Sequence, residues 1–241
     1  MEVLQAIFQD LGQMHYREAW DYQESLLKKN LELKAMARNA GTPPNDVPTK
    51  NYFLLCEHPP VFTLGKSGDP THVLLNDTQR ENLGIEYFHT NRGGDITFHG
   101  LQQIVGYPIL DLEKFYTDIG IYLRNLEEVI IKTIAEYGIM GERSKGETGV
   151  WIDANIPGRE RKIAAIGVRC SRWVTMHGFA LNVNTDLSYF NHIIPCGIIG
   201  KQVTSIEKEL GHKVDYEVTK QKISKHFEEV FQVKLLQSAV V

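Results

Sequence analysis

Residues 162–170, KIAAIGVRC, and 173–184, WVTMHGFALNVN, decide the architecture. Both runs are rich in β-branched and apolar residues, and each reads as a strand. GVWID (149–153) precedes them, and NIPGRER joins it to KIAAIGVRC as a hairpin. Toward the N-terminus, NYFLLCEH (51–58), PPVFTLG (59–65), IEYFHTN (85–91), DITFHG (95–100) and QQIVGYPIL (102–110) give further short strands between turn residues. VLQAIF, near the start, gives one more. Helices surround this block. Tyr16, Ala19, Trp20, Leu27, Leu31 and Met36 recur at spacings of three and four, which predicts a helix from about Met14 to Asn39. AGTPPNDVPTK (40–50) ends it as a surface loop. Asp118 is placed to cap a second helix running to about Tyr137, with Gly138 terminating it. The tail is helical from Ser205, and Asp215 caps its last helix, which reaches Phe231. Strands cluster in the middle, with helices early, between and late. That order predicts an α+β (α/β) fold in one domain, 1–241, on a mixed or antiparallel sheet flanked by helices.

Composition narrows the function classes. With 42% hydrophobic and 23% charged residues the chain has the make-up of a globular protein with a sizeable core. A net charge of −4 speaks against general nucleic-acid binding, which calls for a basic surplus. Arg159, Arg161, Lys162, Arg169 and Arg172 lie close in sequence and, with Arg92 and Lys145, are candidates for a local basic face. No apolar run approaches the roughly 20 residues that span a bilayer, so no membrane contact is expected. The start, MEVLQAIFQDLG, carries two acids and no basic n-region, unlike a signal peptide. The expected location is therefore the cytoplasm, with thiols reduced. The three cysteines form no CxxC pair, and His192 with Cys196 at a spacing of four lacks further ligands, so no metal is expected.

Two segments hold residues suited to chemistry. His177 to Gly197, HGFALNVNTDLSYFNHIIPCG, ends on a cysteine between proline and glycine. Proline fixes its own φ and glycine frees its own, so Cys196 sits on a shaped turn that suits a presented nucleophile. Lys162 lies fifteen residues before His177. Cys56 and Cys170, on strands, read as small buried hydrophobes. The second segment is RGGDITFHG (92–100). Its two glycines let backbone N–H groups approach a ligand, and the Arg92 guanidinium can pair an anion. A strand period of two puts Thr97 and His99 on one face. The segment lacks the GK[ST] ending of a P-loop and is not a GxGxxG opening a helix.

Taken together, RGGDITFHG, KIAAIGVR and HGFALNVNTDLSYFNHIIPCGI resemble, in order and interval, the lipoyl(octanoyl) transferases. The resemblance covers about residues 90–200. It implies a fold similar to the catalytic domain of biotin and lipoate protein ligases. It also implies transfer of an octanoyl or lipoyl group from acyl carrier protein to a lysine of lipoyl domains, the first step of endogenous protein lipoylation. The acceptors implied are the E2 subunits of 2-oxoacid dehydrogenases and the glycine cleavage H protein; the protein is expected to be a monomer without a cofactor. Residue by residue, Cys196 matches the nucleophile and Lys162 the lysine paired with it. Arg92, Gly93, Gly94, Asp95, Ile96, Thr97, Phe98 and His99 match the acyl-binding segment. Ala165, Ile166 and Gly167, and Gly178, Phe179 and Ala180, match two further pieces of that pocket, with His177 a possible positioning residue. One departure is visible: the family continues its first motif as HGPGQ, and here the chain reads His99-Gly100-Leu101-Gln102-Gln103.

A thiol of pKa ~8.5 is only a few per cent ionised at neutral pH, and a nearby ammonium favours the thiolate. Lys162 is thus expected to prime Cys196 for attack on the carrier thioester, and backbone N–H groups on the glycine turns to steady the oxyanion. Three other readings stand beside this one. An ATP-dependent lipoate or biotin ligase on the same scaffold needs no nucleophilic cysteine. A hydrolase would use Cys196 with His177. A carrier-protein-binding module would have no activity. Acidic carrier proteins make the arginine run a candidate docking face.

Overall fold

The computed structural model describes residues 3–194 and 202–238. The N-terminal half runs β1 (Leu4–Gln13), α1 (Tyr16–Asn39), β2 (Asn51–Glu57), β3 (Val61–Leu64), α2 (Asp77–Asn82), β4 (Glu86–His89), β5 (Ile96–His99) and β6 (Gln103–Ile109). It continues through α3 (Ile119–Ala135), β7 (Val150–Ile152), β8 (Arg161–Ser171) and β9 (Val174–Asn182). The last elements are β10 (Gln202–Val203), α4 (Ile206–Leu210), α5 (Tyr216–Phe231) and β11 (Val233–Gln237). Among the described residues the strands form an eight-stranded sheet, ordered β10-β8-β9-β6-β2-β1-β11 with β7 beside β8, and a three-stranded sheet, β4-β3-β5. The large sheet is mixed, as the sequence predicts. β8, β9, β6 and β2 run antiparallel, while β1 pairs in parallel with both β2 and β11.

The alternation of side chains along these strands feeds two cores. Phe53, Leu55, Ile104, Phe179 and Leu181 face α3 and α5, where Leu126, Val129, Ile130, Ile134 and Phe227 are fully buried. The Phe53 and Phe227 rings stack 3.9 Å apart. Leu54, Cys56, Val105, Tyr107 and Ala180 face the other way, against Ala19, Leu26 and Leu27 of α1. Each such aliphatic or aromatic side chain contributes about 1.5–3 kcal/mol by burial. The two long caps are as expected: Asp118 accepts from Ile121 N–H at 3.0 Å and Asp215 from Val218 N–H at 3.0 Å. The small sheet has its own core of Phe62, Leu64, Ile96 and Phe98. It meets α1 at Tyr16, which stacks on Phe88 of β4 and His99 of β5.

Three elements were not expected. α2 is six residues long, too short for a periodic signal, and is set by a capping box between Asn76 and Gln79. β11 follows α5 at once, with Val233 turned inward and Lys234 outward. β10 is two residues whose only role is to lie alongside Arg161 and Lys162.

Candidate active site

A cavity of about 820 Å³ lies between the small sheet and the α1-facing side of β6, β8 and β9, and reaches the start of α3. β8 is its principal wall. At the 161–164 end, β7 pairs with β8, placing Trp151 opposite Lys162. β10 places Val203 opposite the same lysine, and Thr204 N–H donates to Lys162 C=O at 2.9 Å. The Lys162 ammonium lies 4.5 Å from the Trp151 ring centre and donates to Thr148 C=O at 3.3 Å. Further along, Ala165, Ile166 and Gly167 line the cavity, and Gly93 N–H donates to Val168 C=O at 2.9 Å.

The loop that meets Lys162 is held by a residue the sequence reading did not single out. Glu127, on α3 and fully buried, accepts Gly149 N–H at 3.1 Å. Its other oxygen takes Arg124 at 2.5 Å and Arg143 at 3.0 Å. Gly149 has φ +121, and a Cβ there would come 2.6 Å from Ala164 O. A buried carboxylate inside an otherwise apolar helical stripe was the available signal.

The 92–99 segment frames the opposite wall. Arg92 is buried and donates to Thr63 C=O at 2.5 Å, to Thr63 Oγ1 at 3.0 Å and to Gly93 C=O at 3.0 Å. Gln103 Oε1 can only accept, so His99 Nδ1 carries the proton, and Nε2 of the neutral ring accepts from Thr63 Oγ1, 3.3 Å away. His99 Nδ1–H donates to Gln103 at 2.8 Å. Thr97 and His99 both line the cavity, as strand periodicity requires, together with Gly93, Gly94, Asp95 and Ile96. Phe98 is set apart: it stacks on Tyr189 at 4.7 Å inside the small-sheet core. It is not among the residues that line the cavity.

Gly178, Phe179, Ala180 and His177 line the remaining wall. A Cβ on Gly178 would come 2.1 Å from Gly106 O, so β9 and β6 approach there as only glycine permits. His177 lies in the left-handed region at φ +57, and its Nε2 is 2.7 Å from Asn91 Oδ1. Burial, with Arg92 and Arg169 nearby, lowers its pKa to about 3. Burial likewise holds His99 well below the usual range, reinforced by His58 and Arg92. Both imidazoles are therefore neutral wall groups. At the HGLQQ departure Gln102, standing where the resembled pattern has glycine, adopts φ +61, in the left-handed region.

Cys196 lies in 195–201, outside the described residues. On its N-terminal side, residues 192–194 ladder onto 72–74: Leu74 N–H donates to His192 C=O at 2.9 Å and Ile194 N–H to His72 C=O at 2.8 Å. On the other side the chain is described again at Gln202, beside Arg161. The basic run does not make one face. Arg161 pairs with Asp153 and Glu209, Arg169 with Glu24, and Arg92 is buried. β8, at about 3.3 Å per residue, also carries Arg159 and Arg172 to its opposite ends.

The architecture is that of the lipoate protein ligases. The bi-partite lipoate protein ligase of Thermoplasma acidophilum superposes with a TM-score of 0.68 at 15% identity, covering 99% of this chain and 88% of that one. A lipoate-protein ligase A bound with ATP gives 0.68 at 14% identity, covering 100% and 90%. At such identities the likeness shows the fold alone. Sequence goes further. The lipoyl protein ligase A/B catalytic domain profile matches residues 15–228. The octanoyltransferase of Christiangramia forsetii is 56% identical over 227 residues, covering 94% of this chain and 95% of the relative. That of Flavobacterium psychrophilum is 58% identical over 224 residues, covering 92% and 95%. The chain belongs to the lipoyl protein ligase A/B catalytic domain family.

Proposed function

We propose that this protein is an octanoyltransferase, an acyltransferase that moves an octanoyl or lipoyl group from acyl carrier protein to a lysine of lipoyl domains. The single observation carrying this reading is near-full-length identity above one half to proteins named octanoyltransferase. The cavity, with a lysine on its wall, supports it. Cys196 is the nucleophile and Lys162 its partner. What supports the reading is that Ile194, two positions before the cysteine in sequence, bonds through its N–H to His72 C=O, and that His72 and Lys162 both line the cavity.

Lys162 stabilises the thiolate, which attacks the carrier thioester; the carrier's thiol leaves with a proton from Lys162. Thioester is exchanged for thioester, so no ATP is needed. The acceptor amine then attacks and the amide forms. Arg92 to Asp95, Ala165 to Gly167 and Gly178 to Ala180 frame the acyl chain. The lipoyl domains of 2-oxoacid dehydrogenase E2 subunits and the glycine cleavage H protein are the acceptors proposed. We read the chain as one cytoplasmic, monomeric domain; the shared wall between the two sheets supports the single unit. The hydrolase reading fares worse, because a His177 whose pKa is about 3 is a poor base at neutral pH.

Intact-mass spectrometry after incubation with octanoyl carrier protein tests the proposal. The expected gain is one octanoyl group, released by hydroxylamine and missing in Cys196→Ala. Lys162→Ala should slow acylation by about 100-fold or more. Product formed from ATP and free octanoate would instead identify a ligase and overturn the reading.

A further inference from the structure

His72 and Asp95, the latter already placed in the acyl-binding segment, form a histidine–carboxylate pair on the cavity wall, and neither has been given a part in proton transfer. His72 ends a short 3-10 turn, Pro70–His72, and lines the cavity with Asp95. Its Nδ1 is 2.7 Å from Asp95 Oδ2. The Asp95 side chain is 14% exposed and that of His72 22%. Gly68 closes over the carboxylate: a Cβ there would come 2.7 Å from Asp95 Oδ1. A carboxylate oxygen can only accept, so Nδ1 carries a proton, and in the neutral ring the lone pair is on Nε2. Nε2 has no hydrogen-bond partner among the described residues and is not among the buried orphaned polar atoms, so it is accessible, on a residue that lines the cavity. This is the arrangement in which a carboxylate fixes the tautomer of a catalytic imidazole. The other cavity histidines differ. His99 has both nitrogens engaged, and His177 has its Nε2 tied to Asn91.

We propose that His72, oriented by Asp95, is the group that takes the proton from the acceptor lysine. The inference rests on the acyl transfer proposed above. The acceptor arrives as an ammonium, and a free lysine of pKa ~10.4 has almost no neutral amine at pH 7. Entry into a partly apolar cavity lowers that pKa, bringing it toward that of an imidazole. The ammonium N–H bond breaks and its proton goes to His72 Nε2, leaving a neutral amine. The amine nitrogen then bonds to the thioester carbonyl carbon. The C–S bond breaks, the sulfur leaves with the second proton lost by nitrogen, and the imidazolium returns its proton to water. Lys162 remains the partner of the thiol, so the two proton transfers fall to different groups.

The test compares two nucleophiles with the full-length protein and octanoyl carrier protein. One is the acceptor lysine of a lipoyl domain. The other is hydroxylamine, which is largely unprotonated at neutral pH and has no ammonium proton to shed. In His72→Gln the ratio of amide to enzyme-dependent hydroxamate should fall about 100-fold. Asp95→Asn, which keeps an acceptor for Nδ1 but removes the charge, should lower the same ratio about tenfold. Parallel loss of both products in His72→Gln, or an unchanged ratio in both variants, overturns the inference. Wild-type protein that forms neither product defeats the proposed function instead, so the two failures are distinguishable.

Discussion

Lys162 owes its position to a carbonyl, a ring and a buried acid it does not touch. Thr148 C=O accepts its proton and Trp151 lies under its charge, but Glu127 holds the loop that presents the carbonyl. Removing that carboxylate leaves Gly149 N–H without its buried acceptor and two arginines without their shared partner. The guanidinium groups are partly exposed, at 45% and 36%, so solvent tempers the loss. Glu127→Ala is expected to cost about 3 kcal/mol, the lower end for breaking a buried pair, measured as a shift in denaturant midpoint. An unshifted midpoint would show that the loop is held by other contacts.

At the scale of elements, close packing of β9 on β6 shapes the cavity floor. Gly178→Ala would drive a Cβ into Gly106 O on the neighbouring strand and should destabilise by about 3 kcal/mol. Gly138→Ala is the comparison. It meets nothing within 4 Å but keeps φ +76, so only the left-handed strain of about 1–2 kcal/mol applies. Thermal unfolding of both variants separates collision from strain. The strands and long helices were legible because period and caps agree: Asp118, Asp215 and the run at 162–184 each say one thing at several levels. Of the described residues named through the resemblance, all but Phe98 line the cavity, but Tyr16, His72, Tyr107 and Asn182, which also line it, were not singled out. What stayed hidden is what pairing decides. β10 and β11 are too short to declare themselves, and the basic run separates because successive residues of a strand diverge and find acids from distant elements. His72 gave no signal, since only folding brings it to its carboxylate, and Glu127 gave only its place within an apolar helical stripe.

For the molecule as a whole, neutral buried histidines set an acid limit. His58 and His177 have pKa values lowered by burial to about 4 and about 3, and His99 is lowered well below the usual range. Unfolded, each titrates near ~6.5, so below that pH the unfolded state binds more protons and stability falls with pH. Each contributes about 1.4 kcal/mol per pH unit, from about 6.5 down to its folded pKa. Denaturant midpoints should thus drop steeply between pH 6.5 and 5, and a flat profile there would contradict the neutral assignment.

The parallel ladder of Leu4–Phe8 against Val233–Gln237 carries a consequence for synthesis. Of the two neighbours of β1, β2 follows within the N-terminal half, whereas β11 is made more than two hundred residues later. Until β11 has been synthesised, a row of main-chain donors and acceptors on β1 has no companion, and an extended stretch from another nascent copy can occupy it. A nascent chain is therefore open to self-association along β1 until β11 has been made.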